Sequence, residues 1–543
     1  MKYLVMAILV VAADGAVPAA DDGLVTMGPQ SCASLASLRL PDTTITLAQT
    51  IAAGAFRLPT PAGGAPSAAG ENPFSVLPAF CRVAATMKPS SDSDIRIEVW
   101  LPVSGWNGKF QGIGNGGYAG ELSFGGLADA VSRGYATAST DTGHADANGT
   151  SAGWALHHPE KIVDFGHRAV HVTAVSAKAI IRAFYGEDPR RSYFSSCSNG
   201  GRQALMEAQR YPGDYDGIVA GAPANYWTAL LSFAASNAKA TLAEAASYIP
   251  AAKLPAIEAA ALAACDANDG VKDGVIENPP ACRFDPAVLL CKSAESDSCL
   301  ARPQMTALQA LYDGLKDANG KTLFPGYSPG GEAEAGGWAP WITGNAPEHS
   351  LMFAFGTQFF KNMVFENPEW DFRSFDAVRD TKIADSKMAA ALNATDPDLS
   401  AFRERGGKLI LFHGWSDAAI PAVNTINYYR SVVAKAGAKD AETFVRLYMV
   451  PGMQHCEGGP GPDVFSHVGT ARGDRAHDID TALEDWVEQS IAPAQIVASK
   501  YRGSARPGAD VVRTRPLCPY PLIAEYKGTG STDEAANFTC ATR

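Results

Sequence analysis

Tyr193-Phe194-Ser195-Ser196-Cys197-Ser198-Asn199-Gly200-Gly201-Arg202-Gln203-Ala204-Leu205-Met206 runs from a short β-prone stretch through a knot of small residues into a good helix former. A strand that turns straight into a helix holds one side chain at the apex, and here that side chain is Ser198. In the nucleophile elbow G-x-S-x-G the flanking positions are small because the turn is strained and strand and helix nearly touch. Ser196 and Gly200 hold those positions, Gly201 follows, and the first glycine is missing. Taken alone, the stretch fits both a nucleophile and an ordinary serine in a glycine-rich turn. Its surroundings have to separate the two.

Upstream, Ile95 to Pro102 alternates with period two and is read as a strand. The glycine cluster Gly112 to Gly120 follows it. A phosphate cradle would end in Lys-Ser/Thr or open a helix as G-x-G-x-x-G with an acidic residue beyond, and neither pattern is met. The cluster is read as a loop whose backbone N–H groups face a reaction centre, next to the plain alternative of a flexible connection. Gly134 to Asp141 is another strand candidate, and Phe165 to Tyr185 carries apolar residues at helical spacing. This alternation predicts an α/β protein with a mostly parallel sheet flanked by helices. His167 and His171 lie four apart but lack the intervening glutamate of HExxH, so they are read as structural.

Downstream, Tyr211 to Pro223 reads as a turn and the next buried strand. From about Asn225 to Ala401 the pattern changes to Ala-rich helical stretches with four cysteines and with Trp338, Trp341 and Trp370. This is read as an inserted lid, residues 225–401, between two parts of one sheet domain, 20–224 and 402–543. Its aromatic residues, with Phe353, Phe355, Phe359 and Phe360, are candidates to line a pocket for a flat substrate, or equally to form the lid's own core. Within the lid, Asp266, Asp269 and Asp273 stand at offsets of three and four among glycines, a pattern suited to a hard oxygen-seeking cation such as Ca²⁺. Val271 occupies the place where an EF-hand needs glycine, and a solvated acidic turn is the alternative reading.

The sheet resumes at Lys408 to Gly414, an apolar strand followed by Asp417. Thr443 to Val450 is the next strand and leads to His455. Ser198, Asp417 and His455 follow the chain order nucleophile, acid, base, each after a strand end. Their roles follow: Ser198 attacks, His455 carries the proton, and Asp417 orients the imidazole and stabilises its charged form. His413 is a rival base, disfavoured because it precedes the acid.

The bulk numbers narrow the class. With 543 residues, 46% hydrophobic and 19% charged, the chain can bury a large core. A net charge of -12 with no Lys/Arg block excludes nucleic acid and anionic membranes as partners. Met1-Lys2, the apolar run Tyr3 to Ala13 and Val17-Pro18-Ala19 read as a signal peptide over residues 1–19, too short to span a bilayer, and no other stretch resembles a membrane helix. A secreted or periplasmic protein is therefore expected. Ten cysteines suit five disulfides in that oxidising compartment, although a count fixes no connectivity. The segment up to residue 90, holding Cys32 and Cys81, is read as an extension stapled to the body.

With these residues in hand, the sequence resembles the tannase and feruloyl esterase family, which also contains mono(hydroxyethyl) terephthalate hydrolases. The marks are Cys197-Ser198, Asp417, His455-Cys456, the loop Asp266 to Val275, and the tail from Arg515 through Cys518 and Tyr526 to Cys540. The resemblance covers nearly all of the mature chain. It implies an α/β-hydrolase fold with a large lid, and a carboxylic ester hydrolase acting on a small-molecule aromatic ester. It also implies a disulfide joining Cys197 to Cys456 and a structural Ca²⁺. The metal ligands would be the side chains of Asp266, Asp269 and Asp273 and the carbonyls of Val271 and Val275. The oxyanion donors would be the N–H of Asn199 and one from Gly116 or Gly117. Bridges Cys265 with Cys282 and Cys291 with Cys299 are expected beside the metal loop, and Cys518 and Cys540 complete the ten.

The expected function is a secreted serine esterase cleaving feruloyl, other hydroxycinnamoyl or galloyl esters through an acyl-enzyme on Ser198. A terephthalate monoester hydrolase or a broad small-ester carboxylesterase is the alternative within the class. Outside it stands a catalytically silent binding protein, against which all three triad members argue. A serine peptidase is a further rival. The sequence carries no signal for oligomeric state.

Overall fold

Short strands buried on both faces, alternating with helices, pair in parallel because the helices can cover both sides. The computed structural model describes residues 31–59, 72–146, 149–466, 475–503 and 509–542. The signal-peptide stretch and most of the loop between Pro59 and Pro73 lie outside them. Seven strands come first: β1 (Thr43–Ile51), β2 (Phe80–Met87), β3 (Ile95–Pro102), β4 (Lys109–Ile113), β5 (Ala136–Thr140), β6 (Arg191–Cys197) and β7 (Gly217–Gly221). A small hairpin, β8 (Leu315–Lys316) with β9 (Thr322–Phe324), stands apart, and β10 (Lys408–Gly414) and β11 (Val445–Val450) return to the main sheet.

That sheet has nine strands in the order β1-β2-β3-β5-β4-β6-β7-β10-β11. β1, β2, β3 and β5 pair antiparallel, and every pair from β5 through β11 is parallel. The sequence explains the split. β5 and β7 are buried at every residue, as a sheet covered on both faces requires, whereas edge strand β1 has no buried residue. The N-terminal extension thus supplies two strands at the sheet edge, tied by Cys32–Cys81. This mixed sheet flanked by helices is an α/β-hydrolase fold.

Register decides where the chemistry sits. Cys197 pairs with Gly221, Phe412 pairs with Gly221, and Gly414 pairs with Val450, so β6, β10 and β11 end at one level. Ligands of open α/β sheets bind outside these carboxyl ends, and the loops carrying Ser198, Asp417 and His455 all leave from them.

Residues 222–407 add no strand to this sheet. The helices Trp227–Thr241, Arg302–Asp313, Leu351–Phe359 and Arg379–Leu392 pack around a core that also takes in Tyr118 and Phe165 of the body and Ala418 to Ile420. The inserted segment and the loop after Asp417 therefore share one core. The Ala-rich run 245–269, 25 residues with hydropathy 1.2, passes the length and composition test for a membrane span, which the sequence reading missed. It folds here as the helix Leu254–Cys265 with short 3-10 turns, buries Leu254, Ile257 and Ala261, and is pinned by Cys265–Cys282. Two hairpins close the chain, β12 (Ile496–Tyr501) with β13 (Val511–Leu517) and β14 (Ile523–Tyr526) with β15 (Phe538–Ala541), joined by Cys518–Cys540.

Candidate active site

The elbow is as tight as its sequence demands. Ser198 sits at φ 67°, ψ -127°, between β6 and the helix Asn199–Arg210, a conformation an L-residue holds only when its surroundings impose it. A Cβ on Gly200 would stand 1.9 Å from Ser196 Oγ, and one on Gly201 2.3 Å from the Gly221 carbonyl oxygen. Both positions accept only glycine. Ser196, in the place of the first motif glycine, is tolerated because its hydroxyl fills the space that Gly200 leaves.

The three predicted triad residues meet. His455 Nε2 lies 2.8 Å from Ser198 Oγ, and His455 Nδ1 lies 2.8 Å from Asp417 Oδ2. Asp417 is buried, and its Oδ1 accepts the N–H groups of Ala419 and Ile420, both at 2.8 Å. Burial alone would raise its pKa. The charge of His455 and the hydrogen bonds from His413 and His455 outweigh that and hold the carboxyl well below its usual range. The edge of Trp341 packs on the His455 ring at 4.9 Å between centroids. Cys197 and Cys456 are disulfide-bonded, and the other four pairs are Cys32–Cys81, Cys265–Cys282, Cys291–Cys299 and Cys518–Cys540.

Asn199 begins its helix, so its N–H has no intrahelical partner and is available beside Ser198. Gly116 and Gly117 line the same cleft as Ser198 and His455. Two residues hold these groups, and the sequence reading gave neither of them a role. Gln203 Oε1 accepts the Asn115 N–H at 3.0 Å, fastening the glycine loop to the nucleophile helix. Arg202, fully buried, donates to Asn199 Oδ1 and to the carbonyls of Phe165 and Gly166. Burial, helped by Arg210, lowers its pKa to about 9. A long cation directly after a glycine pair, where a helix needs small residues, was the available signal.

Two spaces open from Ser198. One is a narrow slot lined by Ala224, Trp227, Leu230, Leu231, Met352 and Phe355. The other is a cleft of about 630 Å³ bordered by Gln111, Ser195, Ser196, Asp129 and Asp480. Trp341 borders both. Of the aromatic residues expected in the lid, only Trp341 and Phe355 reach these spaces. Trp338, Phe359 and Phe360 are buried in the lid core, where Trp370 stacks on Phe360, and Phe353 packs on Phe372. Trp227, Leu230 and Leu231 take their places, from a helix whose near-uniform burial hides any single pocket face.

In the acidic loop, Asp266 accepts the N–H groups of Asp273 and Gly274, Asp269 that of Val271, and Asp273 that of Val275. Burial raises the pKa of both Asp269 and Asp273, and each carboxylate's pKa is raised further by an aspartate neighbour. An all-oxygen set of this kind fits a hard cation. The three carboxylates also have a counter-charge: Arg515 Nη2 stands 2.5 Å from Asp273 Oδ2 and Arg513 reaches the same oxygen. These arginines come from the tail, some 240 residues on. His167 and His171 share no ligand position: His167 Nδ1 meets Tyr211 Oη at 2.7 Å and His171 Nδ1 meets Asp214 at 2.6 Å. His171, Glu207 and Asp214 do cluster, with Lys178 on the Asp214 carbonyl, so two basic side chains stand with the two carboxylates.

The model of the family described as tannase and feruloyl esterase matches residues 81–541. The chain belongs to the tannase and feruloyl esterase family. An uncharacterised esterase of Xanthomonas campestris pv. campestris is 43% identical over 538 residues, covering 94% of this chain and 91% of that one. A probable feruloyl esterase B-2 of Aspergillus terreus is 34% identical over 478 residues, 87% of this chain and 88% of its own. The crystal structure of feruloyl esterase B from Aspergillus oryzae superposes with a TM-score of 0.84 at 29% identity, over 94% of this chain and 99% of that one. This member of the family is a carboxylic ester hydrolase.

Proposed function

We propose that the esterase cleaves esters of aromatic carboxylic acids through an acyl-enzyme on Ser198. The observation that carries this reading is the contact of 2.8 Å between Ser198 Oγ and His455 Nε2 at the mouth of an apolar slot. As Ser198 Oγ bonds to the ester carbonyl carbon, His455 Nε2 takes its proton and then returns it to the departing alcohol. The N–H of Asn199 and one from Gly116 or Gly117 hold the oxyanion. Water, giving a proton to His455, then bonds to the acyl carbon; the bond to Ser198 Oγ breaks, His455 returns the proton to that oxygen, and the acid leaves.

The slot receives the acyl ring and the wider cleft receives the alcohol. Nine apolar side chains and no Lys or Arg line the slot among the described residues. Burying the second carboxylate of a terephthalate monoester, or the three hydroxyls of a galloyl group, against these side chains leaves polar groups without partners. A hydroxycinnamoyl group leaves fewest. Methyl ferulate, methyl gallate, a terephthalate monoester and p-nitrophenyl acetate, compared by kcat/KM, test this, with methyl ferulate expected highest. Turnover of the acetate alone would show the aromatic acyl slot to be wrong, and a phosphonate serine probe that left Ser198 unlabelled would remove the acyl-enzyme.

Ca²⁺ would be held by Asp266, Asp269 and Asp273 and by the carbonyls of Val271 and Val275, and would supply stability to the lid and no step of the reaction. Five disulfides support a secreted or periplasmic location.

A further inference from the structure

The triad acid has a second histidine on it. His413, fully buried at the end of β10, places Nε2 3.1 Å from Asp417 Oδ2 and 2.9 Å from the Ile420 carbonyl oxygen. Its Nδ1 lies 2.7 Å from Thr425 Oγ1. Both partners of Nε2 are pure acceptors, so Nε2 carries the hydrogen whatever the charge on the ring. Thr425 can donate to Nδ1, which satisfies a neutral ring completely. A ring so held has no free lone pair for a substrate, so His413 is excluded as the rival base.

We propose that His413 is a positioning residue of the esterase reaction. Its Nε2–H shares Asp417 Oδ2 with His455, and so fixes which lone pair the catalytic imidazole addresses and how basic that oxygen is. An ionised carboxylate offers about four acceptor sites. Asp417 fills them with the N–H groups of Ala419 and Ile420 on Oδ1 and the two imidazoles on Oδ2. Without His413 the carboxylate could turn about its last bond and offer His455 the other lone pair. It would also become a stronger acceptor, favouring the charged form of His455. Asp417 is the titratable group bonded to His413, and His455 meets the same carboxylate oxygen. Tyr327 feels the Asp417 charge, which together with burial keeps its hydroxyl protonated.

The inference rests on the triad reading, and the test separates the two. His413→Phe keeps a ring and removes both nitrogens, whereas His413→Gln restores a donor near the Nε2 position. For His413→Phe the acid limb of the kcat/KM profile with methyl ferulate should rise by ~0.5 to 1 pH unit. Its kcat should fall about tenfold or more from misorientation, with KM within about twofold of wild type. His413→Gln should recover most of both effects. Thr425→Val, which removes the donor to Nδ1 and leaves the core shape intact, should move the limb the same way by less, and it carries the test if His413→Phe does not fold. Wild-type enzyme whose Ser198 escapes a phosphonate probe would overturn the triad and this inference together. A labelled enzyme whose folded His413→Phe or Thr425→Val form keeps the wild-type limb and kcat would overturn this inference alone.

Discussion

Replacing Cys197 and Cys456 together by alanine tests how far the geometry of the base depends on a covalent tie. The bridge closes a loop of 259 residues between the neighbours of nucleophile and base. Restricting an unfolded loop of that length amounts to about 5.6 kcal/mol at 25 °C in the chain-entropy model. At roughly 2.1 cal/mol/K per residue of unfolding entropy, a chain of this size has an entropy near 1.1 kcal/mol/K, so Tm should fall by about 5 °C. The fold should survive, because the register of β6, β7, β10 and β11 and the shared core below it do not involve the bridge. The loop carrying His455 is held less firmly. If the loss lets the ring drift by about 1 Å from Ser198, kcat should drop on the order of a hundredfold. Calorimetry gives the first number and steady-state turnover of methyl ferulate the second. A folded double variant with kcat within twofold of wild type would show that the bridge does not hold the base. Non-reducing peptide mapping that found either cysteine free in the wild type would refute the premise.

Other perturbations address separate parts of the molecule. Chelation with EGTA should lower Tm and leave kcat of the still-folded enzyme unchanged; an unchanged Tm would argue against a structural Ca²⁺. Leu230→Trp should fill the acyl slot and reduce kcat/KM for methyl ferulate by about tenfold, a loss of 1.4 kcal/mol, while sparing p-nitrophenyl acetate; equal losses on both esters would place the acyl ring elsewhere. Glu332, buried in the lid beside Tyr312, has its carboxyl pushed up to about 7, by burial first. A raised carboxyl pKa means the folded state binds the extra proton, so Glu332 reduces stability as pH rises from its unfolded value near 4.3 to about 7 and stays flat above. Glu332→Gln should remove that slope, and thermal melts at pH 5 and pH 8 that differ as in wild type would contradict it.

The fold was legible because local and tertiary demands coincide in the sheet. The strands now seen at Ile95–Pro102 and Lys408–Gly414 were readable from alternation and from an unbroken apolar run, and the elbow from residues too small for any other purpose. The triad was legible because each member follows a strand end and parallel register brings those ends together. The slot was not, since the helix Trp227–Thr241 is buried on nearly all sides and a pocket-facing leucine looks like a core leucine. Nor was the charge balance of the acidic loop, since Arg513 and Arg515 reach it from a distant hairpin. The tail from Arg515 was read as a mark of the family, and in the structure β13 carries the two arginines that pair with Asp273.

In the proposed reaction, one short loop joins the acyl slot to the triad. The N–H of Ile420 supports Asp417 Oδ1, its carbonyl accepts from His413 Nε2, and with Ala419 it borders the acyl slot. A side chain at position 420 that an acyl ring pushes aside would therefore move a backbone unit bonded to the triad acid and to the histidine behind it. Energy spent on seating the acyl group is thereby available to align Asp417 and His455, the condition for binding energy to appear in kcat instead of KM. The three strand ends set the positions of the reacting groups, and this loop ties the lid's apolar surface to the orientation of the base.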